Sequence, residues 1–341
     1  MHPCHLTPIN LAVLLHPDAD YAGRLADFWN QRKSLGLPVY AFSALEAFRA
    51  FRARADVELL LFSEHFADEM QGLLGQSMAI LLSEDGFVGE RCQNALPVPA
   101  VFSYRPADAL ARRVMQLYAT ARPGDLSPVQ RGDCEILGIY SPVHRCGKTT
   151  LALSLGLARA AQGKTLLLSL EDYAGVYAQI APDAAESLSE LLFAHSSGRY
   201  SWAVLQSRLS AFGALDLLPP VRCAEDLSLL PPEEFAALLQ RIARESGYRS
   251  MVLDFGAFGR RALELLELCD RIFMPVLSDP LSALKLNSFR EYLRQSGRAQ
   301  LLEKTETLEL PPETEKAQDY ACALLPAYES GPLYELAAAL H

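Results

Sequence analysis

The chain has 341 residues, 50% of them apolar and 21% charged, too many for one average core and typical of two ordinary globular domains. A formal charge of −10 argues against indiscriminate binding to nucleic acid or to an anionic membrane. Seven cysteines, odd in number, scattered and without a C-x-x-C pair, argue against a disulfide framework or zinc site, and residues 1–15 show no signal-peptide pattern. With no apolar run of about 18–20 residues, the expected location is cytoplasmic, without membrane insertion.

Residues 8–121 alternate between strand and helix patterns. Ile9–Leu15 reads as a buried strand, with Asp18 and Asp20 in the loop beyond it. Tyr21, Leu25, Phe28 and Trp29 recur at helical spacing, and Gly36 closes that helix. Val39–Phe42 is a second strand, followed by Ser43 as the expected N-cap of a helix carrying Leu45, Phe48 and Phe51. Val57–Phe62, Met78–Leu82 and Val98–Ser103 are further strands, and Ala107–Ala121 is a helix with Leu110, Val114, Leu117 and Tyr118 on one face. Five strands with intervening helices predict a doubly wound parallel sheet. Residues 122–133, with two prolines, two glycines and no periodicity, read as a linker.

The stretch from Glu135 to Thr150 organises the remainder, 134–341. An apolar strand (Ile136–Tyr140) is followed by Gly147-Lys148-Thr149 and then by a helical pattern, the context of a phosphate-binding P-loop. Loop residues Pro142, Val143, His144, Arg145, Cys146, Gly147, Lys148, Thr149 and Thr150 are the candidate nucleotide-binding set. Lys148 would neutralise phosphate charge and Thr149 would ligate Mg²⁺. Pro142 stands where the first glycine of the full motif belongs, and a bare Gly-Lys-Thr more often marks a turn. Thr165–Leu170 is a second strand ending at Glu171-Asp172. Short helices are expected at Leu188–Phe193 and Trp202–Leu209, a strand at Leu215–Leu218, and an amphipathic helix at Glu233–Glu245. Arg249–Asp254 ends an apolar strand on an aspartate, the place of a Walker B residue that holds Mg²⁺ through water. Many strands end on an aspartate that merely caps the next helix, so its pairing with the P-loop gives the signal its weight. Lys148, Glu171 and Asp254 are therefore the candidate catalytic residues, and Thr149 and Asp254 the magnesium-site residues. Arg271–Leu277 is one more strand, Ser282–Leu293 a helix, Thr305–Leu310 an edge strand and Pro332–Leu340 a closing helix. The stretch 241–298 carries nine arginines and one lysine, which keeps a nucleic-acid or partner-binding face open.

The N-terminal half resembles the receiver domain of response regulators, in element order and in Tyr104-Arg-Pro106 at the place of a lysine-proline pair. It lacks the phosphoacceptor: Leu59–Glu64 ends without an aspartate, and Arg105 replaces the lysine. The implied role is docking. The P-loop, Leu166–Glu171, Val252–Asp254 and Cys269–Val276 together resemble the MinD/ParA group of P-loop ATPases. A receiver-like domain preceding such an ATPase is similar to the TadZ/CpaE family, localisation factors of Flp (tight-adherence) pilus assembly. That resemblance covers nearly the whole chain. It implies two doubly wound α/β domains, ATP or ADP with Mg²⁺ as cofactors, a homodimer, pilus or secretion-machinery partners, and recruitment to a pole or pilus-assembly site.

Three departures bear on mechanism. Val143 stands where the group carries a signature lysine that reaches the partner's phosphates, and His144 and Arg145 replace two glycines, so Arg145 is the one substitute cation. Ser169-Leu-Glu171 replaces D-x-D and leaves one carboxylate for the magnesium-water network. No counterpart is evident for the adenine-reading asparagine. These changes imply nucleotide binding with at most weak ATPase activity. Competing readings are a DNA-segregation ATPase, a metabolic ligase or reductase, and a pseudo-ATPase scaffold; absent cluster-ligating cysteine pairs weigh against a reductase. MinD-style membrane attachment is rejected because Leu333–Leu340 holds no lysine or arginine.

Overall fold

The computed structural model of the chain describes residues 11–32, 34–70, 72–75, 77–84, 98–121, 134–173, 175–181, 187–256, 260–311 and 328–340. Two compact units divide it: Met1–Val129 with Tyr200–Ser207, and Gln130–Arg199 with Arg208–His341. The expected linker and the start of the Ile9 strand lie outside the described residues.

In the first unit the apolar runs become buried strands: β1 (Leu11–Leu15), β2 (Val39–Phe42), β3 (Val57–Ser63), β4 (Met78–Ser83) and β5 (Ala100–Phe102). The helices are α1 (Ala19–Arg32), α2 (Leu45–Arg52), the single turn α3 (Ala67–Met70) and α4 (Ala107–Ala121). All strand pairs are parallel, in the order β2-β1-β3-β4-β5, the doubly wound order with its switch point between β1 and β3. Leu60, Phe62, Phe48 and Leu81 sit in one buried cluster. Helix α2 is capped by Ala44 without a side-chain bond, which corrects the expectation for Ser43. Asp18 acts as a cap, its Oδ1 accepting from the Tyr21 N–H at 2.9 Å.

The second unit contains β6 (Glu135–Ile139), α5 (Lys148–Ala160), β7 (Thr165–Leu170), α6 (Tyr177–Ile180) and α7 (Leu188–Ser196). Helix α8 (Trp202–Arg208) falls almost entirely in the segment grouped with the first unit. There follow β8 (Ser210–Phe212), β9 (Leu215–Leu218), α9 (Pro232–Glu245), β10 (Ser250–Phe255) and α10 (Arg260–Leu268). The unit closes with β11 (Arg271–Val276), α11 (Pro280–Gln295), α12 (Gln300–Glu303), β12 (Thr305–Glu309) and α13 (Pro332–Ala339). The sheet order is β12-β11-β6-β10-β7-β9-β8, parallel except where β8 pairs antiparallel with β9 at one edge. Strands β6, β7 and β10 are central and nearly all buried, as their unbroken apolar runs require. Leu151 and Leu155 of α5 pack on Leu137, Leu167 and Val252, which seats the helix over the sheet and aims its N-terminus at the strand ends.

Candidate functional site

The site is built where β6, β7 and β10 end together. After Tyr140 the chain turns through Ser141–Gly147, and two short bonds hold the turn. The Val143 N–H donates to Ser141 Oγ at 3.1 Å, and Cys146 Sγ donates to the Val143 carbonyl at 3.1 Å. Val143 and Cys146 point inward and are buried, whereas His144 and Arg145 are exposed and Pro142 is half-buried. Val143 thus plugs its own loop and does not protrude. Arg145 holds a left-handed backbone, φ 57°, a conformation suited to glycine.

Gly147, at φ 82°, starts α5 and offers no side-chain cap. A Cβ there would stand 2.8 Å from Leu310 Cδ1, so the glycine answers both backbone and space. A helix N-terminus opened by glycine presents N–H groups and a positive dipole end to an anion. Lys148 and Thr149 occupy its first turn. Lys148 is buried, with Nζ 3.7 Å from Glu171 Oε1. Burial raises the Glu171 pKa, the Lys148 charge opposes that shift, and Asp172 adds to it.

Asp254 lies on β10 between Ile139 of β6 and Ser169 of β7, by strand register. It is fully buried, and its Oδ2 accepts from the Tyr177 hydroxyl at 2.8 Å. Its Oδ1 is buried without a hydrogen-bond partner, although Thr149 lies near enough to influence the group. Burial pushes the Asp254 carboxyl up to about 7, the Glu171 charge adds to this, and the Tyr177 and Thr149 hydroxyls and Lys148 hold it down. Tyr177 is itself buried, its phenol raised well above its ordinary value by burial and by Asp254. Gly256 closes the group: a Cβ there would meet the Leu170 carbonyl at 2.7 Å and Glu171 Cα at 2.8 Å.

The structure therefore brings Lys148, Thr149, Glu171 and Asp254 to one place and leaves His144 and Arg145 on its exposed rim. An orphaned carboxylate oxygen beside an open helix start fits a hydrated cation carried by phosphate. Among the described residues no group of three or more His, Cys, Asp or Glu could hold a metal alone. A magnesium ion here would take its remaining ligands from phosphate and water. Tyr177 was not anticipated; it lies 77 residues from Asp254 in sequence, and no local pattern links the two.

Among the described side chains of the arginine-rich stretch, several arginines are already engaged. Arg241 pairs with Glu245, Arg271 with Glu306, Arg294 with Glu291 and Arg298 with Glu267. Arg249 donates to the Gln162 carbonyl and Arg290 to Thr307.

No family model matches the chain, and no curated protein matches it. Among solved structures it is similar to a ParA family ATPase from Chlorobium tepidum, with 15% identity and a TM-score of 0.48 over 60% of this chain and 99% of that one. It is also similar to the septum site-determining protein MinD from Pyrococcus horikoshii, complexed with Mg-ADP: 15% identity, TM-score 0.46, 60% and 93% covered. A third is cobyrinic acid a,c-diamide synthase from Mycobacterium smegmatis with an ATP analogue and magnesium: 19% identity, TM-score 0.43, 61% and 94% covered.

Proposed function

We propose that the chain is a nucleotide-binding spatial organiser that holds ATP or ADP with Mg²⁺ at its P-loop and hydrolyses it slowly or not at all. The observation that carries this reading is the convergence of Lys148, Thr149, Glu171 and Asp254 at an open helix start, with Asp254 Oδ1 buried and unpartnered. The N–H groups of the α5 start and the Lys148 ammonium would bind the phosphates. Thr149 and Asp254 would hold the magnesium and its water. Bound Mg²⁺ supplies charge neutralisation at the phosphates. Where D-x-D would supply two carboxylates, Ser169-Leu-Glu171 supplies one, so the site would be poor in groups that could align or activate an attacking water.

The finer reading is a TadZ/CpaE-like localisation factor of Flp pilus assembly. It would have a receiver-like domain at 1–121, a linker at 122–133 and a MinD/ParA-like ATPase domain at 134–341. It would act in the cytoplasm as a homodimer, recruited to a pole or pilus site by partner proteins of the secretion machinery. The 2-1-3-4-5 order of the first sheet, and a β3 that ends on Ser63 in place of an acceptor aspartate, support a docking domain that is not phosphorylated. The pairing of Arg241, Arg271, Arg294 and Arg298 with carboxylates weighs against the DNA-segregation alternative.

Calorimetry of ATP with Mg²⁺ on the wild type and on Lys148→Ala tests the core of this reading. Loss of one charge-assisted phosphate contact should cost on the order of 1.5–3 kcal/mol. Equal affinity in the two proteins would sink the assignment, and no binding to either would leave the pseudo-ATPase scaffold standing.

A further inference from the structure

We propose that Tyr177 is a positioning residue for the magnesium site: its hydroxyl clamps one oxygen of Asp254 and so presents the other to the cation that accompanies bound nucleotide. This rests on the nucleotide reading above. A carboxylate has two equivalent oxygens, and a group whose task is to orient metal-bound water needs that equivalence broken. Here it is broken: Oδ2 accepts from Tyr177 at 2.8 Å, and Oδ1 is buried without a hydrogen-bond partner. Both side chains are at most 1% exposed, so water does not compete for the bond. The clamp and Glu171 belong to one short segment that leaves β7, which places the Tyr177 ring directly downstream of the carboxylate paired with Lys148. An apolar ring would fill the same core position. What tyrosine adds is a donor fixed on a buried acid, and a half-satisfied buried carboxylate needs a partner at its other oxygen.

The alternatives are a tyrosine that is only structural, and a tyrosine that plugs the cation position and competes with metal. Titration of mant-ADP into wild type and Tyr177→Phe, each in EDTA and in Mg²⁺, separates all three. Electron paramagnetic resonance with Mn²⁺ in place of Mg²⁺ reads the metal directly. The positioning role predicts that Tyr177→Phe keeps the metal-free affinity and loses about 10–100-fold of the affinity that the metal adds. A metal contribution that survives in Tyr177→Phe, that grows in it, or that is absent from the wild type would overturn the inference. Wild type that binds no mant-ADP in either buffer overturns the nucleotide reading itself, and this inference with it. Should Tyr177→Phe fail to fold, 3-fluorotyrosine placed at 177 by codon suppression keeps the question open to measurement. Its ¹⁹F resonance should move when Mg²⁺ is added to the mant-ADP-loaded protein, and an unmoved resonance counts against the clamp.

Discussion

The two units carry the same kind of sheet and use the same end of it in opposite ways. In the first unit the strand ends carry buried His16, 4.0 Å from Glu84, and the serines there close on the main chain. Ser63 Oγ accepts from the His65 N–H, Ser103 Oγ donates to the Ser83 carbonyl at 2.9 Å, and the Tyr21 hydroxyl donates to the Ser103 carbonyl at 2.8 Å. In the second unit the matching end gathers Lys148, Glu171 and Asp254, and one buried oxygen stays unpartnered. Parallel strands deliver side chains to this edge in either case. What differs is whether the delivered groups satisfy each other or wait for something else. A serine-lined edge can close, because a hydroxyl both donates and accepts; a carboxylate can only accept. The serines of the first edge are therefore spent on structure, and the second edge holds a buried carboxylate that folding alone leaves half-satisfied.

The largest expected effect follows from that buried carboxylate. The Asp254 carboxyl sits near 7 in the fold against an ordinary 3.8. The folded state therefore binds more protons than the unfolded chain between these values, and stability falls as pH rises from about 4 to about 7. Asp254→Asn removes that burden. In metal-free buffer with EDTA, urea unfolding should show Asp254→Asn stabilised relative to wild type by on the order of 2–4 kcal/mol at pH 8, with the gain fading towards pH 4. A gain that is the same at both pH values would mean that the buried charge is not its source.

The first unit gives the matching control. Ser103 is buried, and its hydroxyl bonds only within the edge. Ser103→Ala should cost about 0.5–1.5 kcal/mol, the net worth of one neutral hydrogen bond. The loss should be equal at pH 4 and pH 8 and should leave nucleotide affinity untouched. A pH-dependent loss would couple this hydroxyl to His16 and Glu84 at the same edge and weaken the contrast.

How much of this was readable beforehand depended on how local the cause was. Thr165–Leu170 and Ser250–Phe255 declare themselves as central strands, because burial on both faces demands an unbroken apolar run. Lys148 and Asp254 were visible for a similar reason, each standing at a fixed offset from such a run. Strand β8 was missed because three residues paired antiparallel at an edge leave no period to detect, and α10 was missed as well. The Ser43 cap failed because backbone geometry begins the helix one residue later than the residue type suggests. Tyr177 was hidden for a stronger reason: its meaning is the partner it meets through the fold.

Val143 and Arg145 show the smallest and sharpest version of the same lesson. From residue types alone, Val143 could only be scored as a lost lysine, and Arg145 as its substitute. The loop shows that Val143 is buried and that its main chain is bonded to Ser141 and Cys146, so it contributes structure, while Arg145 is exposed in a backbone conformation that costs a non-glycine residue about 1 kcal/mol or more. Arg145→Gly separates backbone from charge. The backbone part predicts a stability gain of up to about 1 kcal/mol, since the native φ of 57° suits glycine. The charge part is read by sedimentation with and without ATP. If two chains clasped each other's phosphates through Arg145, wild type would pass from monomer to dimer only with ATP, and Arg145→Gly would stay monomeric. With Val143 turned inward and no lysine at 143, we expect a dimer that forms equally well without nucleotide, in both proteins, together with barely measurable turnover. Loss of one transition-state contact of this kind commonly costs about 10²–10³ in rate. Rapid hydrolysis in wild type that falls by that factor in Arg145→Gly would make the exposed arginine, and not the buried edge, the working end of the loop.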